Sequence, residues 1–255
     1  MKIMVCGKGG SGKSSLTVLT ARALSKANKV YVIDSDESNT MLPKILDAEP
    51  PKTIVEYLGG KGTIFEKGEV NLAKALANAG KGIRLDELPR EYISSSPEGI
   101  RLLMIGKVRE FGEGCACPFN FLLRTLLKNL NMEDGEVVLV DTDAGIEHLG
   151  RGVEEGCDAV LAVADPTAES LELAKILQRY MAETGKRFWL VVNKATPGIV
   201  DIINRKAEEM GLEVLGTLRF DEKIFMSCLE GVRLEAEEGY EDVETILRRA
   251  NLMQT

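Results

Sequence analysis

Residues 7–14 of this chain read Gly7-Lys8-Gly9-Gly10-Ser11-Gly12-Lys13-Ser14, which fits the phosphate-binding pattern G-x-x-x-x-G-K-[ST] at every fixed position. The apolar residues 2–6 before it predict a short buried strand, and residues 14–27 predict a helix with one apolar face. A strand, a glycine turn and a helix surround a phosphate with backbone N–H groups at the positive helix end. We therefore expect Lys13 to contact the β- and γ-phosphates of a nucleotide, and the Ser14 hydroxyl to bind Mg²⁺.

Apolar runs like the one at residues 2–6 recur along the chain and predict further buried strands. They lie at residues 29–33, 101–105, 137–140, 159–164, 188–192 and 213–218. Their nearly continuous apolar character is typical of a sheet that is covered on both faces. Amphipathic stretches lie between many of them, one with Leu173, Ile176, Leu177, Tyr180 and Met181 at helical spacing. The sequence therefore predicts an α/β fold, a single-domain P-loop NTPase with a mostly parallel central sheet and helices on both faces.

We expect residues 1–255 to form this one domain, with residues 40–100 as an insertion of short helices and loops within it. The insertion has glycine breaks at residues 59–60 and 80–82, and it ends in Ser94-Ser95-Ser96-Pro97. Its function cannot be derived from its sequence.

The charge balance argues against nucleic acid as the main partner. The chain has 32 Lys and Arg against 40 Asp and Glu, a net charge of −8, whereas a phosphate-binding surface needs a basic excess. No stretch approaches the about 18 consecutive apolar residues of a spanning helix, and the N-terminus lacks the plan of a signal peptide. We therefore expect a cytoplasmic protein without a membrane partner, whose five cysteines are reduced.

Carboxylates follow two of the predicted strands, at the sheet edge where ligands bind in open α/β folds. Asp34 and Asp36 end the strand at 29–33, and such a carboxylate can orient an attacking water or bind Mg²⁺ through water. Asp141 ends the strand at 137–140 and is expected to hold Mg²⁺. Gly145 follows, where a glycine lets the backbone approach a γ-phosphate. Asp143 is either a working group or an ordinary loop carboxylate.

Asn193 follows another strand, and its amide offers both donors and an acceptor to the edge of a purine. At this point the chain resembles the MinD/ParA/nitrogenase-iron-protein group of dimeric ATPases. The resemblance rests on Lys-Gly-Gly-Ser-Gly-Lys-Ser at residues 8–14 and on Asp-Thr-Asp-Ala-Gly-Ile-Glu at residues 141–147, which is similar to the second switch of that group.

The resemblance implies roles for individual residues. Lys8 would reach across a two-fold interface to the partner's nucleotide, Asp36 would position the attacking water, and Asn193 would contact adenine. Phe220-Asp221 resembles the loop that covers the base. The predicted nucleotide-binding residues are Gly9, Gly10, Ser11, Gly12, Lys13, Ser14, Ser15, Gly145, Asn193, Lys194 and Phe220. The predicted catalytic residues are Lys8, Lys13 and Asp36, and the predicted magnesium-binding residues are Ser14, Asp36 and Asp141.

A cysteine pair, Cys115-Ala116-Cys117, stands before a clear apolar helical stripe that begins at Phe119. Pro118 suits the first position of that helix, and Cys117 would lie near its N-terminus, where the macrodipole favours the thiolate. Two thiolates cannot complete a four-coordinate metal site, so the other ligands would come from elsewhere or from a second copy. A two-fold axis between two such pairs would supply four sulfurs. A dithiol redox switch, or two small residues in a glycine loop, are the alternatives.

With this pair, and with Asp-Ala-Gly-Ile-Glu-His-Leu-Gly-Arg-Gly at residues 143–152, the chain resembles the CooC family over nearly its whole length. Members of that family are ATPases that assist nickel insertion into carbon monoxide dehydrogenase. The resemblance implies a homodimer that uses ATP, ADP and Mg²⁺, and that binds Ni²⁺ at Cys115 and Cys117. Ligand chemistry alone would favour Zn²⁺ at a tetrahedral four-sulfur site. His148, the one histidine, has a role in metal handling or signalling, or makes a local hydrogen bond.

Three other functions fit parts of the sequence. A regulatory ATPase switch of the MinD or ParA kind would carry no metal, but residues 241–250 are a poor membrane helix because their start is acidic and no bulky aromatic face follows. An iron–sulfur carrier would place four cysteines around a cluster. A small-molecule kinase or ligase would need an acceptor pocket, which the stretch 40–100 could supply.

Overall fold

The computed structural model of the chain describes residues 1–60, 82–107, 117–144 and 152–253, and at residues 117 and 118 the backbone alone. In these ranges eight strands form one sheet. They are β1 Lys2–Gly7, β2 Lys29–Asp34, β3 Ser94–Ser95, β4 Arg101–Met104, β5 Glu136–Asp141, β6 Ala159–Ala164, β7 Arg187–Ala195 and β8 Val214–Arg219. The order across the sheet is β3-β4-β2-β5-β1-β6-β7-β8, and all neighbours are parallel except β3 and β4.

The predicted fold class is confirmed, and all seven apolar runs are strands. β3 was not predicted, because the two serines that form this edge strand beside β4 carry no apolar signal. The helices in the described ranges are α1 Lys13–Ser25, α2 Leu42–Leu46, α3 Ile54–Tyr57, α4 Cys117–Asn129, α5 Ala168–Thr184, α6 Pro197–Glu209, α7 Glu222–Glu230 and α8 Gly239–Arg249. None of these is both long enough and apolar enough to cross a membrane.

Helices cover both faces of the sheet, with a separate apolar layer on each side. Helices α4, α5 and α6 contribute Leu122, Leu126, Leu177 and Ile203, among others, to one layer. Helices α1 and α8 contribute residues such as Leu16, Leu19, Val243 and Ile246 to the other. These two layers exclude water from β1, β2, β5 and β6, whose side chains are almost all buried.

The stripe predicted for α5 was wrong at one position. Leu177 and Met181 are buried, but Ile176 is 52% exposed. The buried face is completed by Leu171 and Ala174, because a helix turns about 100° per residue and Ile176 therefore lies to one side of the Ala174–Leu177–Met181 line.

The described parts of the stretch 40–100 contain α2, α3, β3 and two short 3₁₀ turns. Ile54, Leu58 and Leu85 bury their side chains in the same apolar layer as α4. The capping box of Thr53 and Glu56 starts α3, with the Thr53 hydroxyl accepting from Glu56 N and the Glu56 carboxylate accepting from Thr53 N. These parts therefore belong to the core of the molecule, while the limits of an insertion here stay a prediction.

The close contact between β8 and α8 generates a stability prediction. A Cβ at Gly216 would lie 2.5 Å from Ile246 Cγ1, whereas a Cβ at Gly198, in α6, would meet nothing within 4 Å. We expect Gly216→Ala to lower the free energy of unfolding by about 1–3 kcal/mol through overpacking. The control Gly198→Ala should be neutral or stabilise by up to about 1 kcal/mol. Urea denaturation monitored by circular dichroism checks both, and equal midpoints would contradict this account of the contact.

Candidate functional site

The phosphate loop connects the end of β1 to α1, and Lys13 lies at its centre. The Lys13 ammonium donates to the carbonyl oxygens of Gly7 and Lys8, at 3.3 Å each, and Ser11 N donates to Lys8 O at 3.1 Å. Only 8% of the Lys13 side chain is exposed. Gly10 has a positive φ of 77°, and a Cβ there would point into open space. The loop therefore surrounds a phosphate-sized space with backbone and one buried cation.

Asn193, at the end of β7, holds this loop from the side. Its amide nitrogen donates to Ser11 O at 2.8 Å, and its amide oxygen accepts from Lys194 N at 2.8 Å. Gly12 has a φ of 94°, and a Cβ there would lie 2.1 Å from the Asn193 amide nitrogen. Lys194 adds a second contact, because its ammonium donates to Gly10 O at 2.7 Å. One N–H and one lone pair of the Asn193 amide remain for a base, and its adenine contact stays a prediction.

The carboxylate of Asp141, at the end of β5, accepts hydrogen bonds from two hydroxyl groups of α1. Ser14 Oγ donates to its Oδ2 at 2.7 Å, and Thr17 Oγ1 donates to its Oδ1 at 3.1 Å. Burial raises the pKa of Asp141 to about 6, although the Ser14 hydroxyl and the Lys13 charge act in the opposite direction. A buried carboxylate beside a phosphate-loop hydroxyl is a set of hard oxygen donors that suits Mg²⁺ next to a nucleotide.

Asn39, on the loop after β2, completes this oxygen-rich corner and was not foreseen from the sequence. Its amide nitrogen donates to Ser14 Oγ at 3.0 Å. Asp36 orders the same loop, because its Oδ1 accepts from Ser38 Oγ at 2.7 Å and from the backbone of Ser38 and Asn39. Asp36 and Asn39 both line the cleft above the phosphate loop. Of the predicted magnesium residues, Ser14 and Asp36 line the cleft, and the buried Asp141 is hydrogen-bonded to Ser14; we call this place the magnesium corner.

Asp34, the buried last residue of β2, forms an ion pair with Lys107, which follows β4. The Lys107 ammonium is 2.7 Å from Asp34 Oδ2. Burial raises the pKa of Asp34 to about 7, and Lys107 counteracts this shift. Neither partner lines the cleft, so the pair supports the site from behind.

The cleft has a volume of about 380 Å³ and continues from the phosphate loop to an aromatic wall. Phe220 and Phe225 are 46% and 53% exposed there, with ring centroids 6.1 Å apart. Asp221 fixes this wall. Its carboxylate caps α7 through Lys223 N and Ile224 N, and it accepts from three backbone N–H groups at the start of α8. The volume and the apolar wall are typical of a pocket that takes one nucleotide.

The side chain of Lys8, a residue of the phosphate loop, forms an ion pair with Glu169 in the first turn of α5. Its ammonium is 2.6 Å from Glu169 Oε2, and the two side chains are 34% and 74% exposed. This hydrogen bond raises the pKa of Lys8. Lys8 is therefore charged, partly exposed and held within its own chain.

The sequence of the chain matches the model of the CobQ/CobB/MinD/ParA nucleotide binding domain over residues 2–234. This match covers both the phosphate loop and the carboxylates described above. The chain belongs to this family. It is a P-loop ATPase, and the two-sided parallel sheet is the fold of that family.

Two relatives of the ATPase are similar over most of their length. The uncharacterized ATP-binding protein MJ0084 of Methanocaldococcus jannaschii is 43% identical over 98% of this chain and 100% of the relative. The carbon monoxide dehydrogenase accessory protein CooC of Rhodospirillum rubrum is 35% identical over 88% of this chain and 85% of the relative. Among solved structures, the septum site-determining protein MinD of Pyrococcus horikoshii with Mg-ADP covers 98% of this chain and 95% of MinD, with a TM-score of 0.70. At 15% identity, that likeness shows the fold alone.

Several predicted site residues lie outside what the structure describes. They are Gly145, His148, Cys115 and the side chain of Cys117, whose backbone begins α4. Within the described ranges no group of three or more His, Cys, Asp or Glu side chains could hold a metal ion. Cys6 and Cys157 are buried free thiols, as small core residues would be, and burial raises the pKa of each to about 12. Cys228, on α7, is exposed, although an isolated free cysteine is usually buried.

The contact between Gly12 and Asn193 generates a binding prediction. Gly12→Ala would place a methyl group on the Asn193 amide at a positive φ, and so would displace the loop. We expect Mg-ADP affinity to fall by about 100-fold, since two hydrogen bonds to charged phosphate oxygens contribute about 1.5 kcal/mol each. Isothermal titration calorimetry measures this, with Gly198→Ala as the control. An unchanged affinity in Gly12→Ala would show that phosphate does not bind in this loop.

Proposed function

We propose that this ATPase is a homodimeric, cytoplasmic metallochaperone that binds Ni²⁺ between its subunits and assists nickel insertion into carbon monoxide dehydrogenase. The observation that carries the proposal is the Cys115-x-Cys117 pair, on a segment that follows Lys107, a neighbour of the nucleotide site, and that leads into α4. The 35% identity to the CooC accessory protein supports the client. Thiolates suit nickel and zinc alike, and Zn²⁺ is a second candidate for the same cysteines.

The first end of the cysteine segment is Lys107. It forms the ion pair with Asp34 and donates to the carbonyl oxygens of Asp36 and Asn39. A change in the loop that carries Asp36 would therefore reach the start of the stretch 108–116 directly. This contact supports coupling between hydrolysis and the cysteines from the β2 side of the nucleotide.

The second end is α4, which Cys117 begins. Helix α4 packs against the 3₁₀ turn Val153–Gly156, which follows the second-switch residues 141–147 along the chain. A Cβ at Gly156 would lie 2.5 Å from Leu127 Cβ, so the glycine permits close approach of the turn to α4. An ion pair between Lys128 and Glu155 adds to the contact. A movement of the second switch would therefore be passed through this turn to α4, the helix that Cys117 begins.

The residues of the nucleotide site divide the work of hydrolysis. Lys13 and the loop N–H groups bind the phosphates, and Asp36 is placed on the loop from which it could orient the attacking water. Magnesium would neutralise charge on the β- and γ-phosphates, with Ser14 and Asp141 as the residues that hold it. Phe220 would cover the base.

Dimer formation would use Lys8. The lysine is charged and partly exposed. It forms an ion pair with the exposed Glu169, and Asp165 is a second acidic neighbour. If Lys8 left Glu169 and paired with a phosphate oxygen of the nucleotide bound to the partner subunit, little free energy would be lost. Exposed ion pairs contribute little to stability. Closure of the dimer would then depend on ATP and would bring the two cysteine pairs together.

The metal site is tested by native mass spectrometry of the protein with Ni²⁺ and ADP under anaerobic, reducing conditions. We expect one nickel ion per two chains, and loss of that ion in Cys115→Ser and in Cys117→Ser, because each removes two of four sulfurs from the dimer. Cys228→Ser, whose cysteine lies on α7 beside Ser15, is the matched control and should keep the metal. A metal-free monomer would overturn the proposal and favour a regulatory ATPase switch.

The ion pair of Lys8 generates a prediction for assembly. Glu169→Gln removes the charge that holds Lys8 within its own chain, and we expect ATP-dependent dimerisation to strengthen by about twofold to fivefold. Glu172→Gln, on the exposed side of the same helix, is the control. Analytical ultracentrifugation with a slowly hydrolysed ATP analogue measures the dissociation constants. Weaker dimerisation in Glu169→Gln would mean that Glu169 itself belongs to the interface.

A further inference from the structure

Lys107 is a nearly buried cation that does not line the nucleotide cleft, yet it makes three polar contacts with the end of β2 and the loop that follows it. Only 9% of its side chain is exposed. Its ammonium is 2.7 Å from Asp34 Oδ2, and it donates to the carbonyl oxygens of Asp36 and of Asn39. An ammonium has three N–H groups, so each one has an acceptor here.

Two of these acceptors are not needed to neutralise Asp34. A salt bridge needs only the Asp34 carboxylate as a partner. The hydrogen bonds to Asp36 O and Asn39 O do something more, because they join the two ends of a four-residue turn. Within the turn, Asp36 Oδ1 accepts from Ser38 N at 3.0 Å and from Asn39 N at 3.1 Å. Lys107 therefore fixes the turn through its carbonyl oxygens, while the Asp36 carboxylate fixes it through its backbone N–H groups.

The turn leads directly to the magnesium corner. The Asn39 amide donates to Ser14 Oγ at 3.0 Å, and Ser14 Oγ donates to Asp141 Oδ2 at 2.7 Å. The backbone carbonyl of Asn39 accepts from Lys107, and the side-chain amide of the same residue donates to Ser14. The contact with Lys107 therefore helps to set the position of that amide. A hydroxyl that must ligate a cation needs such support, because partners behind metal ligands set ligand orientation.

We propose that Lys107 is a positioning residue of the ATPase, which holds the turn 36–39 so that Asn39 and Asp36 face the magnesium corner of the nucleotide. The inference rests on the proposed magnesium site at Ser14 and Asp141 and is independent of nickel. Lysine suits this role because its compact charge carries three donors that point in different directions, whereas the donors of arginine lie in one plane.

Lys107→Met tests the role by removing all three contacts. Binding of a fluorescent ADP analogue in EDTA depends on the phosphate loop and should stay within about twofold of the wild type. The Mg²⁺ concentration that half-maximally changes this binding should rise by about 10- to 100-fold, the usual effect of losing support behind a metal ligand. ATP turnover at saturating ATP should fall to a similar extent. Lys44→Met, in the exposed part of α2, is the control and should change neither quantity.

The double variant Lys107→Met/Asp34→Asn separates positioning from charge balance. It leaves no unpaired buried charge, so it should fold even if Lys107→Met does not. The side-chain amide that replaces the Asp34 carboxylate would keep an acceptor for Asp36 N, while the carbonyls of Asp36 and Asn39 would still lack Lys107. We expect the magnesium defect to persist in the double variant.

A return of the double variant to wild-type magnesium dependence would overturn the proposal, because Lys107 would then serve only to neutralise Asp34. Wild-type magnesium dependence in Lys107→Met would also overturn it. If the wild-type protein itself showed no effect of Mg²⁺ on nucleotide binding, the proposed magnesium site would fail, and this inference with it. The three results are distinguishable in one titration series.

Discussion

The two hydroxyl groups that α1 donates to Asp141 are the interaction on which the site depends. They join the helix after the phosphate loop to the end of β5, the strand next to β1 in the sheet. Asp141 is completely buried, and its unusual pKa follows from that burial. Because the carboxylate is held from two sides, the cation corner and the phosphate loop keep a fixed relative position. Asn39, Asp36 and Lys107 are arranged around this fixed point.

A second constraint comes from the other half of the sheet. Asn193 and Lys194 extend from β7 to the carbonyl oxygens of Ser11 and Gly10, so the loop is held between β5 and β7 on opposite sides of β1 and β6. Glycine at position 12 is required by this contact as much as by its backbone angle. The phosphate loop is therefore tied to strands on both sides of β1.

The strands could be predicted because buried parallel strands are apolar along their whole length, and the phosphate loop because its spacing has a mechanical reason. Asn39, Lys107 and Glu169 could not, since a polar residue in a loop or an exposed helix carries no sign of its distant partner. Ile176 was misplaced because an apolar residue at helical spacing need not face the core. The cysteine pair remains a prediction from sequence and kinship, as Cys115 lies outside the described ranges.

The carboxylate of Asp221 gives the C-terminal helix a part in the nucleotide cleft. Burial alone would raise the pKa of Asp221, but the backbone N–H groups of Glu237 and Gly239 outweigh it and lower the pKa. The N–H groups on the side of the C-terminal helix belong to residues 237–239, which follow the last residue matched by the family model, Leu234. A version of the protein cut after Leu234 would therefore lose the anchor of its base wall while keeping every residue of the phosphate loop.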